Sequence, residues 1–249
     1  MMLNITKNCF FNSFTTVRRT FFNFLQNENK MSFKIDARGQ PKAVVIFLHG
    51  LGDSGAGWME GFREIRDPDV SYIFPNAPNI PVTLNFGMQM PAWFDIKALE
   101  FDGEEDKQGI QKSSNFTKDL VKEQMEKYKL PSEKIILGGF SQGGAIALYA
   151  GMTHAEKLGG ILALSTWLPL HKMFVDKKEG HSLTQQSCKV LQYHGDADPM
   201  VKLKYGRLTN QLLESNQRDV TMKVYNGMEH SSCPQEMKDI KNAISELIN

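Results

Sequence analysis

The chain has 249 residues, enough for one large α/β domain. Hydrophobic residues make up 41% and charged residues 23%, which is ordinary for a soluble globular protein. The net charge of +1 gives no reason to expect nucleic acid or an anionic membrane as the main partner. Cys9, Cys188 and Cys233 are too few and too widely spaced for a disulfide framework or a zinc site, which favours a reducing compartment. No apolar run is long enough to cross a bilayer.

The first 30 residues differ from the rest of the chain. Three basic residues and six phenylalanines precede the first acidic residue, Glu28. This pattern is typical of a mitochondrial transit peptide, and the alternative is a disordered extension ahead of a second start at Met31. We therefore treat residues 1–30 as an N-terminal extension and expect a single folded domain over residues 31–249.

Short apolar runs bounded by turn residues predict the strands of a sheet. Helical patterns lie between them, and the longest predicted helix ends before Pro131. Alternating strands and helices are typical of a mainly parallel sheet covered by helices on both faces, with no length left for a large cap domain. The predicted strands are residues 43–48, 72–74, 134–138, 159–165, 189–193 and 220–225, and the predicted helices are residues 56–65, 107–129, 144–150, 204–215 and a segment at the C-terminus.

One segment, residues 80–94, fits neither the helix nor the strand pattern, because it is apolar, aperiodic and interrupted by prolines. It follows a predicted strand, and open α/β sheets bind ligands at the carboxyl ends of their strands. We therefore interpret it as the wall of an apolar pocket, with buried packing as the alternative. The expected pocket residues are Ile80, Val82, Leu84, Phe86 and Trp93, joined by Trp167 from the end of a later strand. The acidic turn at residues 101–107 and the histidines His171 and His181 are expected to be exposed.

A G-x-S-x-G sequence, residues 139–143, lies between a predicted strand and a helix of small apolar residues. In this setting a serine occupies a sharp, strained turn, and the glycines keep side chains from colliding with the neighbouring elements. Ser141 would then project from the carboxyl edge of the sheet, near the positive end of the next helix. The pentapeptide alone arises by chance in roughly one such chain in ten, and the alternative is a tight structural turn. Its setting favours a nucleophile elbow.

A glycine-rich turn, residues 49–55, follows the predicted strand at residues 43–48. It lacks the lysine of a phosphate-binding loop, and its glycines miss the dinucleotide-binding spacing. The better interpretation is one wall of an oxyanion hole, where backbone N–H groups must point inward unobstructed. We expect the N–H groups of Leu51 and Gln142 to converge on one substrate oxygen. His49 is expected to stabilise the turn rather than to catalyse.

Three residues supply the parts of a serine hydrolase triad. A serine hydroxyl attacks well only when a base removes its proton and an acid orients that base. The chain presents Ser141, an aspartate and His230 in that order, each after an independently predicted strand. Asp196 and Asp198 compete for the place of the acid, and their spacing leaves the choice open.

Between residues 43 and 248 the chain resembles the acyl-protein thioesterase and lysophospholipase branch of the α/β-hydrolases. This resemblance implies an α/β-hydrolase fold, Asp198 as the acid, oxyanion donors at Leu51 and Gln142, and an acyl-chain channel near residues 80–86. Two positions depart from it: Thr166 stands where animal members usually have cysteine, and Lys202 where proline often occurs. The motifs that carry the resemblance are FLHGLGD at 47–53, MPAWFD at 90–95, ILGGFSQGG at 136–144, HGDADP at 194–199 and GMEHSSC at 227–233.

The resemblance implies a serine hydrolase that removes long-chain acyl groups from S-acylated protein cysteines, with lysophospholipids as secondary substrates. Its mechanism needs neither a metal nor an organic cofactor. A cytoplasmic location with peripheral membrane contact at most is expected, or a mitochondrial location if residues 1–30 act as a transit peptide. Whether the chain forms a homodimer stays open. The alternative function is that of a general carboxylesterase on small or lipid esters.

Overall fold

A computed structural model describes residues 32–98, 100–175 and 188–249. The N-terminal extension predicted for residues 1–30, with its suggested targeting role, and His181 lie outside the described residues. Residues 32–249 cluster as one compact unit.

Seven described strands form the central sheet, in the order β1-β3-β2-β6-β7-β8-β9. Neighbouring strands are parallel except for β1, which is antiparallel to β3 at one edge. The mainly parallel sheet predicted from the alternation of elements is confirmed, and β1 is an edge strand that the apolar pattern missed. The strands are β1 (Ser32–Ile35), β2 (Ala43–Leu48), β3 (Val70–Pro75), β6 (Ile135–Phe140), β7 (Gly160–Leu164), β8 (Val190–Gly195) and β9 (Val220–Tyr225).

Helices cover both faces of this sheet. The described helices are α1 (Gly55–Ile65), α2 (Lys107–Tyr128), α3 (Gln142–Met152), the short α4 (Lys172–Val175), α5 (Leu203–Ser215) and α6 (Pro234–Ile248). Side chains of α2, α3 and α5 pack in one core layer, and side chains of α1 and α6 pack in the other. Within the described ranges, no helix combines the length and the apolar character needed to cross a membrane.

Strand β2 shows how the two layers arise. All six of its residues are fully buried. Successive side chains of a strand point to opposite faces, so Val44 and Ile46 join the layer of α3, whereas Val45 and Phe47 join the layer of α1 and α6. A strand buried on both faces has a continuous apolar sequence instead of an alternating one. Because β2 pairs in parallel with β6, the loop after β2 lies beside the loop after β6.

The segment predicted to be irregular is in fact a β-hairpin. Strands β4 (Asn79–Val82) and β5 (Met88–Pro91) pair in an antiparallel arrangement, with a short 3-10 turn at Thr83–Asn85 between them. The carboxylate of Asp95 anchors the turn by accepting hydrogen bonds from the N–H and hydroxyl groups of Thr83 at 2.7 and 2.6 Å. The pattern failed here because the strands are short and carry prolines, which are tolerated at sheet edges.

Candidate active site

Ser141 lies between β6 and α3 in a strained backbone conformation, with φ of 52° and ψ of −122°. A non-glycine residue adopts such a positive φ at an energetic cost, and surrounding contacts must hold it there. Close packing supplies those contacts: a Cβ on Gly139 would overlap the backbone of Gly143, and a Cβ on Gly143 would overlap the carbonyl groups at the end of β2. The N–H of Ser141 also donates to the carbonyl of Leu164 at 2.9 Å. The serine is therefore fixed at the carboxyl edge of the sheet.

The three residues of the predicted triad meet at this edge. His230 Nε2 lies 2.9 Å from Ser141 Oγ, and His230 Nδ1 lies 2.7 Å from Asp198 Oδ2. An ionised carboxylate only accepts hydrogen bonds, so Nδ1 carries the proton and Nε2 is left to accept from the serine hydroxyl. The backbone N–H groups of Met200 and Val201 each donate to Asp198 Oδ1 at 2.9 Å. This arrangement can deprotonate a serine hydroxyl.

Asp196, the competing aspartate, has another role. Its side chain accepts a hydrogen bond from the N–H of Gly227 at 2.7 Å, which joins the turn after β8 to the turn after β9. A buried histidine, His194, supports the Asp198 turn, because its Nε2 lies 2.7 Å from the Val201 carbonyl and 3.6 Å from Asp198 Oδ2. Burial lowers the pKa of His194, which favours its neutral form. No sequence pattern predicted this role of His194.

Leu51 and Gln142, the expected oxyanion donors, follow adjacent strands. Leu48 of β2 pairs with Gly139 of β6, and each donor lies three residues beyond its strand position. Gln142 is the first residue of α3, so its backbone N–H has no acceptor within the helix. Its buried side chain is occupied elsewhere, since it accepts from Trp93 N–H at 2.8 Å and donates to the Phe94 carbonyl at 2.7 Å. The backbone N–H is thus the group that Gln142 can offer to a ligand.

The turn after β2 packs against the serine elbow. A Cβ on Gly50 would lie 3.1 Å from the ring of Phe140 and 3.5 Å from Cβ of Ser141. His49 is buried, with Nδ1 2.7 Å from the Gly50 carbonyl and Nε2 3.0 Å from the Ala77 nitrogen. Burial lowers its pKa. These contacts agree with the predicted role of His49 in stabilising the turn.

A cavity of about 220 Å³ opens beside Ser141 and His230, and we call it the apolar cavity. Two of the six predicted pocket residues, Leu84 and Trp167, line it. Its apolar lining includes Leu51, Leu84, Phe94, Ile96, Phe101 and Trp167.

The other four predicted pocket residues are not in the lining of the apolar cavity. Val82 and Trp93 are buried in the core, and the Trp93 indole N–H donates to the His49 carbonyl at 2.8 Å. Ile80 packs against the same core, and Phe86 at the hairpin tip is 99% exposed. Hydrophobicity alone could not separate these positions, because the alternation of the hairpin strands decides which side chains face inward.

The acidic turn expected to be solvated instead forms part of the cavity wall. Phe101 lines the cavity and stacks between His171 and Tyr205, with ring centroids 4.2 and 5.6 Å away. His171 is therefore buried, contrary to the expectation of exposure, and its Nε2 lies 3.2 Å from Asp102 Oδ1. Phe101 was the one signal available in the sequence, since a phenylalanine is unusual in a fully solvated acidic turn.

Glu105 ties this turn to the loop after β7. Both of its carboxylate oxygens accept from the Leu170 N–H, at 3.0 and 2.9 Å. Burial raises the pKa of Glu105, while the hydrogen bond from Leu170 opposes that rise. The two loops that line the apolar cavity are thus held together by a half-buried carboxylate.

A mainly parallel sheet covered on both faces, with a serine elbow and a histidine and an aspartate on later loops, defines a serine hydrolase of the α/β-hydrolase fold. The chain belongs to the phospholipase/carboxylesterase family, whose model matches residues 29–248.

Relatives and solved structures agree with this assignment. An acyl-protein thioesterase 1 of Mycosarcoma maydis is 43% identical over 225 residues, which cover 84% of this chain and 92% of that protein. An acyl-protein thioesterase 1 homolog of Dictyostelium discoideum is 43% identical over 213 residues, which cover 83% of this chain and 91% of that protein. The crystal structure of Zea mays acyl-protein thioesterase 2 matches with a TM-score of 0.79 and 28% identity, covering 88% of this chain and 100% of that chain.

Proposed function

We propose that this chain is an acyl-protein thioesterase, which hydrolyses long-chain acyl thioesters on protein cysteines and accepts lysophospholipids as secondary substrates. One observation carries the proposal: the hydrogen-bonded chain from Ser141 through His230 to Asp198 opens onto the apolar cavity. Relatives named acyl-protein thioesterase 1, 43% identical to this chain, support the same substrate class.

In the proposed mechanism Ser141 Oγ attacks the thioester carbonyl carbon while its proton passes to His230 Nε2. Asp198 keeps the imidazole oriented and stabilises its charged form. The carbon–sulfur bond then breaks, and His230 gives its proton to the departing cysteine sulfur. Water attacks the resulting acyl-enzyme as His230 takes its proton, and the products are a fatty acid and the free serine.

The negative oxygen of the tetrahedral intermediate would be bound by the N–H groups of Leu51 and Gln142. One such donor contributes about 3 kcal/mol to transition-state stabilisation. The acyl chain would occupy the apolar cavity, where each buried methylene contributes about 0.8 kcal/mol. Binding should therefore strengthen with chain length until the cavity is full.

The hairpin tip supports peripheral contact with a membrane surface. Phe86 is 99% exposed, Met88 is 57% exposed and Leu84 is 36% exposed. Leu84 also lines the apolar cavity, so the exposed apolar tip lies beside its mouth. Large apolar side chains at an exposed tip favour insertion into the interface of a lipid layer. The acyl chain of an S-acylated protein is inserted in the same kind of layer.

The decisive test compares three substrates: an S-palmitoylated peptide, a lysophosphatidylcholine, and nitrophenyl esters of increasing acyl length. We expect the wild-type chain to hydrolyse the acylated peptide and to prefer long esters over short ones. Ser141→Ala should lower kcat for every substrate by at least about 10³-fold, because the nucleophile is lost. A serine-directed fluorophosphonate should label the wild type and leave Ser141→Ala unlabelled.

The same measurements separate the alternative function. A general carboxylesterase would hydrolyse short esters as well as long ones and would leave the palmitoylated peptide intact. Equal activity across the ester series would also contradict the role given to the apolar cavity.

A further inference from the structure

A second cavity, of about 320 Å³, meets the apolar cavity at His230 and shares Asp53 and Phe140 with it. A third cavity, of about 600 Å³, continues from the second through Gly61 and Met237. Together the second and third cavities form one groove that starts at the triad histidine and runs between α1 and the N-terminal turns of α6. We call it the leaving-group groove, and the mechanism above assigns it no role.

The chemistry of thioester cleavage requires a path of this kind. His230 must reach the departing sulfur to protonate it, so the sulfur lies within hydrogen-bonding distance of Nε2 during the reaction. If the acyl chain fills the apolar cavity, the rest of the substrate must leave the reaction centre along another open surface. The leaving-group groove begins at the same imidazole and is continuous with the outside of the molecule.

The lining of the groove indicates which leaving group it suits. Near His230, Trp58 and Met237 supply apolar surface. The described residues that line this part include one aspartate, Asp53, and no glutamate, lysine or arginine. A carboxylate without a lysine or arginine in the same part of the lining is unfavourable for the phosphate of a lysophospholipid.

Farther out, the two walls carry opposite charges. Glu60 and Glu64 of α1 line one side, and Lys238 and Lys241 of α6 line the other. An extended polypeptide fits both parts of the groove. Its side chains can carry either charge, and its backbone polar groups can stay in contact with water.

Both walls are firmly anchored, so the groove is preformed. Phe62 of α1 and Ile240 of α6 are fully buried in the same core layer beneath the sheet. Trp58 packs against Phe47 and Phe140, with ring centroids 4.7 and 5.2 Å away. A preformed groove binds a flexible chain without the added cost of ordering its own walls.

We propose that the leaving-group groove binds the polypeptide that flanks the acylated cysteine of a protein substrate. This inference rests on the proposed thioesterase function and adds the surface on which the protein part of the substrate is recognised. It gives a role to a groove whose near part combines apolar surface with the Asp53 carboxylate and whose far part carries charges of both signs.

Gly61 offers a way to close the groove without touching the triad. A Cβ at this position would lie 3.5 Å from the terminal methyl of Met237, an ordinary contact, so Gly61→Ala should leave the groove open. The longer side chain of Gly61→Leu would extend into the space that the second and third cavities share. Asn115→Leu places the same side chain on an exposed site of α2, which packs in the other core layer, and serves as the matched control.

The experiment compares two thioesters of the same fatty acid. One has a peptide of about a dozen residues with the acylated cysteine at its centre, and the other has N-acetylcysteamine, which is too short to occupy the groove. We expect Gly61→Leu to raise KM for the peptide about tenfold with kcat little changed. This result is expected when the substrate and the transition state lose the same amount of binding energy. Hydrolysis of the small thioester should stay within about twofold of the wild type for all three variants, which also shows that they fold.

Two results would overturn the inference on its own: equal KM values for the peptide in Gly61→Leu and wild type, or an equal loss on both thioesters. If the wild type hydrolyses the N-acetylcysteamine thioester but never the acylated peptide, the proposed function fails and the inference falls with it. The two failures are therefore distinguishable.

Discussion

At the scale of single residues, both backbone polar groups of Ser141 are held by the end of β7. The Ser141 N–H donates to Leu164, and the Ser141 carbonyl accepts from the hydroxyl of Thr166 at 2.7 Å. Thr166 also packs against the first turn of α3, since a Cβ on Gly144 would lie 2.9 Å from its side chain. The strained conformation of Ser141 costs about 1–3 kcal/mol, and these contacts offset that cost.

Thr166→Val should therefore impair the nucleophile although Thr166 is not in the lining of the apolar cavity. Valine keeps the shape of threonine but cannot donate, so the free energy of unfolding should fall by about 1 kcal/mol. We expect kcat to fall about fivefold, with KM nearly unchanged, because Ser141 is less firmly placed. Steady-state kinetics on one ester and urea unfolding measure both quantities.

Thr166→Ser is the matched control, because it keeps the hydroxyl and loses one methyl group. It should restore kcat to near the wild-type value. If the serine variant were as impaired as the valine variant, packing of the methyl group would be the cause, and the hydrogen bond to Ser141 would have no separate role.

At the scale of elements, the β4–β5 hairpin combines a fixed base with an exposed tip. Its turn is anchored by Asp95, whereas Phe86 at the tip projects into solvent with φ of 56°. Asparagine adopts this left-handed conformation more readily than phenylalanine does. A substitution there can remove the apolar tip without straining the hairpin.

Phe86→Asn should weaken binding to phosphatidylcholine vesicles by about 10- to 150-fold, because burial of an aromatic side chain contributes about 1.5–3 kcal/mol. Its activity on a water-soluble short ester should equal that of the wild type. Vesicle co-sedimentation measures the first quantity. Leu208→Gln removes another exposed apolar side chain, on α5, and should leave vesicle binding unchanged; a similar loss in both variants would contradict a specific role of the tip.

At the scale of the whole molecule, a buried carboxyl group links stability to pH. Glu236 in the first turn of α6 is fully buried, and neither of its carboxylate oxygens has a hydrogen-bond partner among the described residues. Burial raises its pKa from the ordinary value of 4.5 to about 8, and the charge of Asp239 adds to the rise. The folded protein therefore keeps this group protonated where the unfolded chain has lost the proton.

The sign of the pH effect follows from these two values. Below pH 4.5 both states hold the proton, and between 4.5 and about 8 only the folded state holds it. The free energy of unfolding should therefore fall by about 1.4 kcal/mol per pH unit across this interval from this group alone. Above a pH of about 8 the contribution becomes constant.

Glu236→Gln should remove this dependence, because glutamine is neutral in both states. The free energy of unfolding of the variant, relative to that of the wild type, should be higher at about pH 8 than at about pH 5. Urea unfolding at both pH values measures this difference. Glu214→Gln, at an exposed site on α5, is the control and should show no such change. An equal difference between Glu236→Gln and wild type at both pH values would contradict the raised pKa.

The apolar pattern of the sequence predicted neither strand β1 nor the β4–β5 hairpin. Strands β2 and β7 were recognisable because they are buried on both faces and their sequences are continuous apolar runs. The edge strand β1 and the hairpin strands are only partly buried, and their sequences carry no such run. Pairing of β1 with β3 and of β4 with β5, rather than a local apolar run, determined these elements.

The sequence by itself determined the order of elements and brought forward Ser141, Asp198 and His230 as candidates, because each follows a recognisable strand and turn chemistry is local. In the tertiary structure Asp198, the acid that the resemblance implies, contacts His230. Only the tertiary structure decided that Val82 and Trp93 belong to the core and that Phe101 and Glu105 form a cavity wall. The physical reason is that the first set depends on neighbours in the chain. The second depends on which faces of distant strands and loops are packed together.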